Sequence, residues 1–203
     1  GNVTPGILTI HLVRHGEHDL SPGLLAGRTP GVTLSERGIE QARRTAERLA
    51  RAGGIAAVYA SPLERTARTA GILGERLGLA VETVDALAEI DFGDWTGRSF
   101  AELDEHEDWR RWNHFRSGTR PPGGETMVEV LGRALGFIEE LIRGGPRGSA
   151  VLVSHCDVIR AVLAHYLGMP QDLLLRLEVA PASVSTVEIG PWGPRILRIN
   201  EEP

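Results

Sequence analysis

The stretch Ile7-Leu8-Thr9-Ile10-His11-Leu12-Val13-Arg14-His15-Gly16-Glu17 decides how the rest of the chain is read. Its first seven residues are nearly all apolar, the pattern of a strand covered on both faces, and in α/β proteins such strands run parallel between layers of helices. The apolar run then stops at a guanidinium, an imidazole and a glycine. Ligands of open α/β sheets collect beyond the carboxyl ends of the strands, where helix N-termini offer unpaired N–H groups and a positive dipole end. Arg14 and His15 stand at such a tip, beside a Gly16 that permits close approach.

Two further segments repeat the pattern, Ile55–Ala60 and Ala150–Val153, each apolar and each followed at once by a helix signal. After the first, Ser61-Pro62-Leu63-Glu64-Arg65 combines an N-cap serine, a proline suited to the first helical position and a capping-box glutamate. The spacing predicts a helix to about Gly78 with Arg65 in its first turn. After the second, Ser154-His155-Cys156-Asp157 is another Ser-x-x-Asp start, which puts His155 on an opening turn. Thr33-x-x-Glu36 and Gly53-Gly54 bound a helix from about Leu34 to Arg51, and a long helix from about Glu125 to Arg143 follows Pro121-Pro122-Gly123-Gly124. Val184–Ile189 and Arg195–Ile199 read as a terminal hairpin or edge strands. The expectation is a three-layer α/β/α sandwich with a mostly parallel central sheet and an antiparallel edge. Residues 1–203 are expected to form one domain with an irregular excursion at about 91–124. Within it residues 99–116, with the cluster Trp109–Arg116, read either as a substrate lid or as a surface helix packed on the core.

Composition narrows the function. At 203 residues, 41% hydrophobic and 24% charged, the chain has the make-up of a folded globular protein rather than a disordered or fibrous one. The net charge of −5 offers no general attraction for nucleic acid or anionic lipid, so an anion site must be built locally. No apolar stretch approaches the roughly 18 residues of a membrane span, and the N-terminus lacks the basic-then-apolar order of a signal peptide. Gly1 reads as a remnant of expression. The lone Cys156 cannot form an internal disulfide, and a reducing, cytoplasmic setting is expected. The oligomeric state is left open.

Two arginines and two histidines, Arg14, Arg65, His15 and His155, thus converge by the logic of the fold. Guanidinium forks and helix-terminal amides suit the oxygens of a phosphoryl group, so the tips read as a phosphate pocket. A neutral imidazole can attack phosphorus in line, dividing one difficult displacement into two. The alkoxide that leaves is a poor leaving group and needs a carboxylic acid to protonate it. Glu89, in Ala88-Glu89-Ile90-Asp91-Phe92-Gly93-Asp94-Trp95, is the favoured donor, with Asp91 and Glu17 as alternatives. Arg28, in a glycine-flanked loop, is a candidate substrate contact. His11 is expected to be a hydrogen-bonded core residue. The spacing of His11, His15 and His18 matches no metal-ligand motif, and neither metal nor cofactor is expected. A cysteine phosphatase would want an arginine six residues after Cys156, where Val162 stands, so the cysteine reads as a small buried filler.

Taken together these blocks resemble the histidine phosphatase superfamily, the phosphoglycerate mutase-like family. The likeness is carried by Arg14-His15-Gly16, Gly27-Arg28, Leu34-Ser35-Glu36-Arg37-Gly38, Ser61-Pro62-Leu63-Glu64-Arg65-Thr66-Ala67-Arg68, Leu87-Ala88-Glu89-Ile90, Pro122-Gly123-Gly124-Glu125-Thr126 and Val153-Ser154-His155. It spans most of Ile7 to Leu167. The resemblance implies His15 as the phosphorylated nucleophile, Arg14, Arg65 and His155 as phosphoryl ligands, and Glu89 as acid and then base. It further implies metal-independent hydrolysis of a small phosphorylated metabolite; a mutase-type phosphoryl transferase and a catalytically silent phospho-ligand-binding protein are the alternatives. The chain departs from the family pattern at His18 and Ser21, where members often carry Ser or Thr and Asn, and at Cys156, where many carry Gly. All three positions are candidate substrate contacts.

Overall fold

In the computed structural model, which describes residues 6–203, the opening stretch forms β1 (Leu8–Arg14) inside a six-stranded sheet. Gly1 lies outside the described residues. The other strands are β2 (Ile55–Ala60), β3 (Val81–Thr83), β4 (Gly148–Ser154), β5 (Val184–Gly190) and β6 (Gly193–Glu201), in the order β3-β2-β4-β1-β5-β6. The first four in that order run parallel, while β5 is antiparallel to β1 and β6 to β5. This is the mostly parallel sheet with an antiparallel edge that the sequence predicts. β3 is an addition: at three residues, with Glu82 exposed in its middle, it carries too little periodicity to be read from sequence.

Period-two alternation divides the core into two layers. Ile10, Leu12 and Leu152 face the helices α5 (Met127–Gly144) and α6 (Cys156–Leu167), whose Ile138 and Val158 complete one cluster. Val13, Val58, Val151 and Val153 face α1 (Glu36–Ala52) and α2 (Glu64–Leu77), meeting Leu49 and Leu73. His11 is buried and shares a hydrogen bond with Thr186 at 3.1 Å.

Several cap residues act elsewhere than predicted. The N-cap of α1 is Ser35, whose hydroxyl accepts from Gly38 N, while the Thr33 hydroxyl donates to Leu34 O and its carbonyl accepts from Asp19 N in the neighbouring loop. α2 starts at Glu64 with no side-chain cap, since Ser61 Oγ bonds His155 and the Glu64 carboxylate accepts from Gly31 N. α5 starts at Met127, two residues later than predicted, with Thr126 as its N-cap. Ser154 Oγ donates to Leu87 O instead of capping α6, and His155 occupies the N-cap position.

Residues 91–124 form 3-10 turns at Gly93–Trp95 and Arg116–Gly118 with the short helices α3 (Phe100–Leu103) and α4 (Glu107–Trp112) between them. Both tryptophans of α4 pack edge-to-face on Trp95 and belong to the core cluster. The loop after β1 is held by the backbone itself: a Cβ at Gly38 would lie 2.0 Å from Glu17 O, and one at Gly16 would lie 2.4 Å from Gly38 O. Gly38→Ala should therefore push this loop off α1 and destabilise the protein by about 1–3 kcal/mol, an overpacking cost read from the denaturant midpoint.

Candidate active site

The tips of β1, β2 and β4 open onto a cavity of roughly 480 Å³ bordered by Arg14, His15, Arg65 and Glu89. His15 follows β1 directly, its backbone N–H donating to Ser154 O while its carbonyl accepts from Ala182 N. Gly16 N donates to Thr69 Oγ1, which in turn donates to Arg65 O, so the β1 tip and α2 are locked together. The His15 Nδ1 lies 2.7 Å from Gly16 O. A carbonyl only accepts, so Nδ1 carries the proton and Nε2 keeps its lone pair. Arg65 Nε donates toward that Nε2 at 3.4 Å.

Arg65 is 2% exposed and donates through Nη2 to Gly27 O at 2.7 Å. Arg14 donates to Val179 O at 2.6 Å, leaving its Nε without a partner. His155 is fully buried behind His15, with ring centroids 5.3 Å apart, and its Nε2 shares a 2.7 Å hydrogen bond with Ser61 Oγ. His155 Nδ1 has no hydrogen-bond partner and lies 3.6 Å from Glu89 Oε2, which is itself 3.7 Å from Arg65 Nη2. The sequence-predicted quartet and Glu89 are thus brought together. Buried, unsatisfied donors beside two guanidiniums suit a tetrahedral anion.

Burial, reinforced by the charges of Arg65 and Arg14, holds His15 well below the usual imidazole range, and burial with the neighbouring His15 and Arg65 does the same for His155. Both rings are neutral at pH 7. Glu89 moves the other way: burial raises it above the ordinary carboxylate value, outweighing the opposing pull of Arg65. Because the unfolded chain binds protons at both histidines near pH 6.5 and the folded chain does so only at lower pH, stability should fall as pH drops below 6.5. Thermal midpoints measured between pH 8 and 5 check this.

The remaining candidates separate. His18 and Cys156 border the cavity. The Cys156 thiol, pushed up to about 11 by burial, stays protonated at neutral pH. Ser21 is exposed and does not border the cavity, because the loop turns at Ser21 O···Leu24 N and presents Pro22 and Leu24 instead. Arg28 also lies outside the lining, its Nε donating to Glu89 O at 2.8 Å and its Nη2 to Glu125 at 3.2 Å. Asp91 accepts from Gly93 N, and Glu17 sits against Arg37 and Ser35; neither reaches this cavity.

Sequence reasoning missed Arg133, Ser61 and Thr69. Arg133, anchored on Glu125, donates to Ala86 O and Glu89 O and so clamps the backbone that carries Glu89. Its only signal is a cation next to the apolar stripe of Val130 and Ala134 on α5. Ser61 and Thr69 look like ordinary helix-start and helix-interior residues.

Comparison with known proteins gives a coherent answer. The family described as "Histidine phosphatase superfamily (branch 1)" matches residues 10–202. Bifunctional protein Rv2228c of Mycobacterium tuberculosis is 39% identical over 192 residues, which cover 93% of this chain and 52% of that protein. The chain thus spans about half the length of this curated relative. Phosphoserine phosphatase 1 of Hydrogenobacter thermophilus is 34% identical over 194 residues, covering 93% of this chain and 90% of that one. Among solved structures, mycobacterial glucosyl-3-phosphoglycerate phosphatase Rv2419c superposes with a TM-score of 0.84 at 28% identity, covering 96% of this chain and 99% of the other. No helix among the described residues is long and apolar enough to cross a membrane.

Proposed function

The chain belongs to the histidine phosphatase superfamily, and from that premise we propose that it is a metal-independent phosphomonoester hydrolase of the reducing cytoplasm working through a phosphohistidine at His15. The observation that carries this reading is the orientation of one imidazole. Nδ1–H is tied to Gly16 O, and the Nε2 lone pair meets the Arg65 guanidinium at the edge of the cavity.

The step balances as follows. A small phosphate monoester enters with its phosphoryl oxygens on Arg14, Arg65 and His155 Nδ1, with His18 and the Cys156 region bordering the same space. The Nε2 lone pair forms the N–P bond as the P–O ester bond breaks, and the electron pair leaves with the ester oxygen. Protonated Glu89, favoured by its raised affinity for a proton, transfers that proton to the departing alcohol. The resulting carboxylate then takes a proton from water, whose oxygen attacks phosphorus and releases inorganic phosphate with a free imidazole. The fixed guanidiniums spread the charge of the transferring group without reorganising.

Release of inorganic phosphate from simple monophosphate esters in excess EDTA, with acid-labile radiolabel trapped on the protein during turnover, is the expected result. Isomerisation of 3-phosphoglycerate without phosphate release would instead indicate a mutase. Phosphate-ester binding without turnover would indicate a silent binding protein, and loss of activity in EDTA would overturn the metal-independent chemistry.

A further inference from the structure

The cavity lining falls into two chemically different sets. One is the cationic cluster around His15; the other is the apolar set Pro22, Leu24, Phe92, Phe100, Trp109 and Trp112. Two of the apolar side chains at its border are left open to water, Phe100 at 37% exposure and Leu175 at 44%. Exposed apolar groups edging a concave site mark a surface that an apolar ligand group covers.

Two further guanidiniums, Arg116 and Arg160, border the same cavity, and their partners decide what they can do. Arg116 is 3% exposed, lies 4.5 Å over the Trp112 ring, and donates to Trp112 O, Asn113 Oδ1 and Asp157 Oδ2. Arg160 donates to Leu177 O and to Asp157 Oδ1. The Asp157 carboxyl is disfavoured as an anion by its burial, yet these two arginines hold it below the ordinary range, so it stays ionised between them. A second phosphate or carboxylate on the substrate would have to compete with a carboxylate already 3.0–3.1 Å from both guanidiniums. For Arg116, whose side chain is buried, breaking such a pair is costly.

We propose, resting on the hydrolase reading above, that the substrates of this site are monophosphate esters of apolar alcohols, with an aryl or alkyl body covering Phe100 and Leu175 at the cavity border, rather than doubly anionic esters. Arg116, Asp157 and Arg160 then form a rim in which one carboxylate ties the two guanidiniums together, rather than an open second anion receptor.

The test compares kcat/KM for 2-phenylethyl phosphate, glycerol 1-phosphate and 3-phosphoglycerate, whose leaving oxygens all belong to alkyl alcohols. The expected order is as written, with the apolar ester ahead of 3-phosphoglycerate by about 10–100-fold. A Phe100→Ser, Leu175→Ser double variant, altered only at exposed positions, should reduce that ratio about tenfold. Turnover with equal or reversed preference overturns this inference alone. An unchanged ratio in the double variant does the same. Absence of turnover on all three esters overturns the hydrolase reading and this inference with it.

Discussion

His15→Ala is expected to remove turnover, by about 10⁴–10⁶ in kcat, the scale seen when a covalent nucleophile is deleted. The reason is geometric. His15 is the imidazole whose proton is fixed on the far nitrogen by a 2.7 Å contact with Gly16 O and whose free nitrogen meets Arg65 at the cavity. Its neighbour His155 cannot take over, since its Nε2 is already engaged by Ser61 and its Nδ1 serves as a donor to the phosphoryl oxygens in the proposed step. Radiolabel should no longer be trapped on the variant, while competitive binding of inorganic phosphate persists through Arg14 and Arg65. A variant that still acquires acid-labile label would move the nucleophile to another residue.

Glu89→Gln should lower kcat by roughly 10²–10⁴ for alkyl phosphates, the usual weight of a general acid. The amide keeps the shape, and its oxygen can still accept from Ile90 N, as Glu89 does at 2.9 Å. What is lost is the proton. With 4-nitrophenyl phosphate, whose leaving group needs little protonation, formation of the phosphoenzyme should be far less impaired than its hydrolysis, so labelled intermediate should accumulate. The pH profile supplies the sign. Glu89 is raised, so in the wild type the protonation-dependent step weakens as pH climbs through that raised value, and the Gln variant should lose this limb. Normal turnover of the variant on alkyl phosphates would exclude Glu89 as the donor.

The reach of the sequence can be judged residue by residue. β1, β2 and β4 are legible because continuous apolar runs ending in turn-forming or charged residues have one economical use, as covered parallel strands. Chain order alone then carries Arg14, His15, Arg65 and His155 to neighbouring tips. Glu89 is harder: it sits in an irregular loop where Asp91 is two residues away, and only the clamp of Arg28 and Arg133 on Glu89 O, absent from any local pattern, turns that carboxylate inward. Arg28 reads like a ligand contact because a charged side chain in a glycine-flanked loop can face either way, and it faces Glu125. Ser61 and Ser154 read as caps because hydroxyls at helix starts usually are, but each hydroxyl has a long-range competitor for its bond, namely His155 and Leu87 O.

The sequence by itself determines the layered α/β architecture and the identity of the two arginines and two histidines, since strand burial and helix starts are local properties of apolar period and capping chemistry. Only the tertiary structure decides which nitrogen of His15 is free, which carboxylate faces it, and whether Arg116 and Arg160 remain available for an anion. Those are properties of burial and of bonds between residues tens of positions apart, and a linear pattern does not encode them.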